Sequence, residues 1–267
     1  MNAVKRAINN IAGICIIYKA SDPSRAFLET KTPGYTKAFV GSYCLMGGNW
    51  ILQAAANDGN TRGTVIREVC REELSFEKSL EGGVELKALG LGDDTPYEWP
   101  KEVRIPPTQF DNWALDQIKI TISGVAQPFG DYILSVDKSV FAAADPDSKK
   151  ESYTGLASYF AAGLPDNVWD LLERLQNKFG NLSNESRSFI ASLDDLLTNQ
   201  LRGSWGHDRV LRDFFLSHGL ATAELLPLVP GITAERVHMP LATYDPDYLS
   251  RYDVAKKPDL TSNLAAK

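Results

Sequence analysis

Residues 11–18, IAGICIIY, form an unbroken apolar run rich in β-branched side chains, and they predict a buried strand rather than a helix. SDPS at 21–24 supplies turn chemistry. RAFLETK at 25–31 alternates loosely and predicts a second strand, so the two should form a hairpin. Past TPGYT, the run AFVGSYCLMGGNW is again strand-like and closes on paired glycines. From Thr61 to Phe76 the period changes. Val65, Ile66, Val69 and Cys70 recur at three- and four-residue spacing among Arg and Glu, which predicts an amphipathic helix capped by Asn60 or Thr61. Residues 81–112 are rich in Gly, Pro and Asp and read as a long surface excursion. DQIKITISGVA and DYILSVDKSVFAA predict further strands, the first alternating at Ile118, Ile120 and Ile122.

Beyond ADPDSKK at 145–150, helical spacing takes over. Helices are expected over 165–179, 188–201 and 209–219, the first with Pro165 at its start and Gly180 past its end. No strand of the main sheet is expected across 165–220. The expected architecture is therefore α/β: a mixed sheet between helices in residues 1–150, followed by a mainly helical region in 151–267. That second region would serve substrate selection or a homodimer contact. The polar tail DVAKKPDLTSNLAAK should be frayed.

Composition narrows the function classes. The chain has 267 residues, 43% of them hydrophobic, and a net charge of −6 without any dense Lys/Arg block. An electrostatic grip on nucleic acid is excluded on that ground, whereas a free nucleotide needs only a few placed cations. No apolar stretch approaches the ~20 residues of a membrane span. The apolar start is short, runs into Lys19 and lacks a cleavage site, so no signal peptide is expected. Cys15, Cys44 and Cys70 lie in apolar runs without a CxxC pair, which predicts buried thiols in a reducing, cytoplasmic setting.

The stretch with most chemistry is Arg67-Glu68-Val69-Cys70-Arg71-Glu72-Glu73. On an α-helix Glu68 and Glu72 stand four residues apart on one face, where like charges repel unless a cation lies between them. Hard carboxylate oxygens on a rigid element suit Mg²⁺, or Mn²⁺, that also holds substrate phosphates. Arg67 and Arg71 form a neighbouring row able to brace them. A solvated charged face is the bland alternative. His207, His218 and His238 show no metal-ligand spacing and read as structural or surface residues. Tyr97, Trp99, Phe110 and Trp113 either stack on a nucleobase or pin their loop to the core.

In these residues the chain resembles the Nudix hydrolases, whose signature is Gly-x5-Glu-x7-Arg-Glu-U-x-Glu-Glu-x-Gly-U, with U a bulky apolar residue. Residues 67–69 match Arg-Glu-U, and Glu72 matches the second Glu of the pair in an ungapped reading. Upstream, Gly41-Ser-Tyr43-Cys-Leu45-Met-Gly47-Gly48 is similar to the family's lead-in. About five extra residues separate Gly48 from Arg67, the mid-signature Glu has no counterpart, and Arg71 and Leu74 replace a Glu and a Gly. A one-residue slip restores the pair as Glu72-Glu73, but it needs a bulge in the helix; the ungapped register is preferred.

The resemblance implies a mixed sheet in an α/β/α sandwich and Mg²⁺-dependent hydrolysis of a nucleoside-diphosphate-linked small molecule. Metal would be held by Glu68 and Glu72, with Glu73 as a secondary ligand. Arg67 would orient the carboxylates, and Gly47 and Gly48 would let backbone pass close to the metal. Glu98, Asp111 and Asp116 are the candidates for a general base. A catalytically silent nucleotide-binding module is the alternative.

Overall fold

A computed structural model describes residues 6–31, 35–50, 58, 60–77, 105–237 and 252–254, and every structural statement below concerns these residues. Ten strands are present. The expected hairpin forms from β2 (Asn10–Lys19) and β3 (Asp22–Thr30), paired antiparallel. Two short strands follow, β4 (Tyr43–Cys44) and β5 (Met46–Asn49), then β6 (Gln127–Val136), β7 (Tyr153–Leu164), β8 (Arg187–Ser192) and β9 (Ile232–Val237). These eight make one mixed sheet with the path β4-β3-β2-β7-β6-β9, while β5 pairs with β2 and β8 with β3. A separate parallel pair joins β1 (Arg6–Ile8) to β10 (Tyr252–Val254).

The apolar run in β2 is unbroken because both faces of the sheet are covered. Cys15 and Ile17 face one layer, together with Phe27, Met46 and Phe160. That layer is built by α1 (Thr61–Arg67), α2 (Gln109–Val125) and α4 (Asp166–Phe179), through residues such as Val65, Ile118 and Leu172. Ile14 and Ile16 face the opposite layer, where α5 (Leu193–Thr198) and α6 (His207–Ser217) contribute Leu196, Leu211 and Phe214. The short α3 (Lys138–Ala144) packs through Phe141 at one end. The fold is thus mixed α/β with helices on both faces, as the pattern predicts.

The sheet forks at β2. Its end at Ile17–Lys19 pairs with β3, but its start at Ala12–Cys15 pairs with β5 instead. Beyond the fork β3 pairs with β4 through Glu29 and Thr30, which places a buried glutamate in the opening.

Three expectations change. Residues 117–125 are helical, within α2. Ala114, Leu115, Ile118 and Ile122 make its buried stripe, whereas Ile120 is 64% exposed. A Thr108–Asp111 capping box fixes where that helix begins. Likewise 188–201 is not one helix: β8 occupies its first part, pairing with β3 from Arg25↔Ser192 to Thr30↔Arg187, before α5 begins. Nor does the sheet divide at residue 150. Strand β7 runs parallel to β2 from Asn10↔Gly155 to Lys19↔Leu164, at the centre of the sheet. The helices over 166–179 and 207–217 do form, the first closed by Gly180 in the left-handed conformation.

Candidate functional site

Helix α1 starts where expected, with the Asn60 side chain accepting from the Gly63 N–H at 2.9 Å. It does not continue as a regular helix. After Arg67 it widens into a π-helical turn over Glu68–Glu73, closed by the Leu74 N–H donating to the Val69 carbonyl at 3.0 Å. The wider turn buries Val69, Cys70, Glu73 and Leu74 together, and a bridge from Leu74 to Ser183 pins its end. Glu73 thereby comes to the same side as Glu68, while Glu72 turns outward and is 49% exposed. This is the bulge that the slipped register requires, of the kind found at functional sites.

Arg67 is the hub of the turn. Its Nε donates to both oxygens of Asp58 at 3.0 and 3.1 Å, and its Nη1 lies 2.9 Å from Glu68 and 3.1 Å from Glu72. Asp58 also accepts from the Thr64 hydroxyl at 3.1 Å. Asp58 therefore braces Arg67. Glu72 contributes an ion pair to this brace rather than a place among the converging carboxylates.

A third carboxylate arrives from the far side of the chain. Past Gly180 the segment Asn-Leu-Ser-Asn-Glu-Ser is short and polar, and its side chains bind its own backbone. The Asn181 Oδ1 accepts from the N–H groups of Ser183 at 3.0 Å and Ser188 at 2.9 Å. Gln176 donates to the Gly180 and Ser188 carbonyls at 2.8 and 3.0 Å. The Asn184 N–H donates to the Glu73 carbonyl at 2.8 Å, docking the loop on the glutamate turn. The result is that Glu68, Glu73 and Glu185 each present an oxygen within 4.8 Å of the others.

Buried charge surrounds this cluster. Burial, together with Glu29 and Glu185, drives the Glu73 carboxyl well above the usual carboxylate range, and burial also raises Glu68 despite Arg67. Glu73 accepts from the Gly47 N–H at 3.1 Å. Glu29, in the fork of the sheet, accepts from the Ser183 hydroxyl and lies 4.0 Å from the Lys31 ammonium. Burial works against Lys31, but the Cys44 thiol and the carboxylates of Glu29 and Glu73 outweigh it and raise its pKa.

Gly47 and Gly48 form a side-chain-free seam in β5. A Cβ on Gly48 would stand 2.2 Å from the Glu68 carboxyl carbon. On the α6 side of the same strand lies a cavity of about 290 Å³, lined by both glycines and by Lys31, Tyr35, Tyr153, Trp205 and His207. The seam thus has carboxylates on one side and an aromatic, cation-bearing cavity on the other. The cavity residues lie on separate elements, and nothing in the spacing along the chain joins them.

Of the remaining candidates, Asp111 completes the capping box of α2 with Thr108 and is paired with Lys178 at 2.6 Å. Burial pushes its carboxyl up, but Lys178 and Thr108 prevail and hold it low. Asp116 is exposed on α2, and Arg71 is exposed on the glutamate turn. Phe110 and Trp113 pair on the outer side of α2 at 5.3 Å, with Arg174 over Phe110. Tyr97, Glu98, Trp99, His238 and most of the excursion over 81–112 lie outside the described residues. Among the described residues no helix is long and apolar enough to cross a membrane. Compared with protein-family models, curated proteins and solved structures, the chain finds no match in any of the three.

Proposed function

We propose that this protein is a Mg²⁺-dependent hydrolase of Nudix type, cleaving a phosphoanhydride bond in a nucleoside diphosphate linked to a second group. The observation that carries the reading is the convergence of Glu68, Glu73 and Glu185 within 4.8 Å beside a glycine seam. One octahedral Mg²⁺ with bonds of about 2.1 Å spans at most about 4.2 Å between opposite ligand oxygens. The three donor oxygens, all within 4.8 Å of one another, converge on the scale of such an ion, and Glu185 is exposed on its loop. Carboxylate oxygens suit Mn²⁺ as well.

Bound there, a divalent ion would polarise the pyrophosphate and lower the pKa of a water. The protein's own groups prepare for it. The Gly47 N–H and the wide turn aim Glu73, while Arg67, held by Asp58, fixes Glu68. The metal ligands proposed are therefore Glu68, Glu73 and Glu185, and Glu72 moves to the bracing role. Glycine at 48 leaves room for the Glu68 carboxyl.

The test is turnover on a panel of NDP-sugars, ADP-ribose, dinucleotides and nucleoside triphosphates with Mg²⁺. Product phosphate is read after phosphatase coupling. Turnover of at least one class, abolished by chelator, is the expected result. Inactivity on the whole panel, with the protein folded and Mg²⁺ present, would remove the hydrolase reading.

A further inference from the structure

The cavity beside Gly47 has an unusual polar lining. His207 is 93% buried, and its Nδ1 accepts from the Leu45 N–H at 3.0 Å. A neutral ring bonded in that way carries its proton on Nε2. Burial keeps the ring neutral, pushing its pKa down to about 3. The Nε2–H meets no acceptor among the described residues, and the ring forms part of the cavity wall.

The other side chains there repeat the pattern. Tyr153 donates to the Asn10 Oδ1, and the Asn10 Nδ2 donates to the Asn49 Oδ1, so both amide oxygens are engaged. The Tyr35 oxygen accepts from the Trp205 Nε1 at 3.0 Å, which leaves its own proton to give. Lys31 can only donate. His207, Tyr35 and Lys31 thus leave donor capacity toward the cavity, while the Asn10 and Asn49 amide oxygens each already accept one bond.

We infer that this cavity binds the base of the substrate and selects a ring with an acceptor edge, namely an oxo-substituted base over an amino-substituted one. Trp205 and Tyr153, with ring centroids 4.9 Å apart, and Tyr35 supply aromatic surface for a planar ring. At about 290 Å³ the space is at the lower end of ligand pockets, which run roughly 300–1,000 Å³, so it holds one ring system rather than a dinucleotide. Oxo groups such as purine O6 or pyrimidine O4 accept, whereas the exocyclic amine of adenine or cytosine donates. An amine placed against Nε2–H leaves two donors facing each other, and a site built to bond one edge rejects the other strongly. This inference rests on the hydrolase reading for the rest of the ligand, but the cavity can be tested without it.

Inosine 5′-monophosphate and adenosine 5′-monophosphate differ in this respect at C6, and neither has a phosphoanhydride to cleave. Calorimetric titration of the full chain in chelator should find inosine monophosphate bound at least about 10-fold more tightly. His207→Asn keeps an acceptor for the Leu45 N–H and removes the Nε2 donor. It should bring the ratio near one. A wild-type ratio near one, a preference for adenosine monophosphate, or absence of saturable binding overturns the inference, whether or not the variant folds. So does a folded His207→Asn protein that retains the preference. Preference without any phosphoanhydride cleavage keeps the cavity assignment and removes the hydrolase. Cleavage without preference does the reverse.

Discussion

Glu73→Gln is expected to lower Mg²⁺-dependent turnover by at least ~10²-fold, because losing a ligand weakens both metal placement and water activation. The same substitution should raise the melting temperature of the metal-free protein. Glu73 is 2% exposed and faces Glu29, Glu68 and Glu185, so neutralising it relieves repulsion that burial leaves unscreened. Gln retains an acceptor for the Gly47 N–H. Glu72→Gln should change turnover less than ~3-fold, since Glu72 is 49% exposed and reaches only Arg67. An ideal-helix register predicts the opposite ranking, with Glu72 critical and Glu73 dispensable. Kinetics and thermal melts on the two variants decide between the π turn and the regular helix.

The second large effect falls on stability. Gly47 has φ +138°, and a Cβ there would lie 2.3 Å from the Gly13 carbonyl oxygen and 2.8 Å from the Ile14 Cα. Both obstacles are backbone of the central strand β2, which cannot swing aside. Strained backbone and overpacking each cost about 1–3 kcal/mol, so Gly47→Ala should destabilise by ~3 kcal/mol or more. For a chain of this size that corresponds to a fall of roughly 6 °C or more in Tm. Gly124→Ala is the internal control. Its Cβ would meet nothing within 4 Å in α2, so helix propensity should leave stability unchanged or raise it by up to ~1 kcal/mol. Equal melting of the two variants would mean that β2 does not confine Gly47 as this packing requires.

Local chemistry was legible in the sequence where one element sufficed to carry it. The β2–β3 hairpin, the Asn60 cap, the glutamate helix and the Pro165–Gly180 helix all follow from pattern and punctuation. Two-residue spacing at Ile118, Ile120 and Ile122 is ambiguous, because 118 and 122 also fit a helix. Ala114 and Leu115 complete the helical stripe, and only packing tells the two apart. Strand β7 is hard to read because Gly, Ala and Ser dilute its apolar signal, although it lies at the centre of the sheet.

The site is less legible than the fold for a physical reason. Which of Glu72 and Glu73 turns inward depends on one extra residue in a helical turn, and that is set by burial of Leu74 and its bridge to Ser183. Glu185 is brought in by a self-bonded loop, and His207 by α6 packing against the sheet. None of these meetings leaves a spacing in the chain.

Soaking crystals of the protein in Mn²⁺ and mapping the anomalous scattering will show whether Glu68, Glu73 and Glu185 together hold a divalent cation. One peak about 2.1–2.2 Å from an oxygen of each of these three carboxylates is the predicted result. A fully ordered site without a peak, or a peak bound through Glu72 with Glu73 turned away, would contradict it.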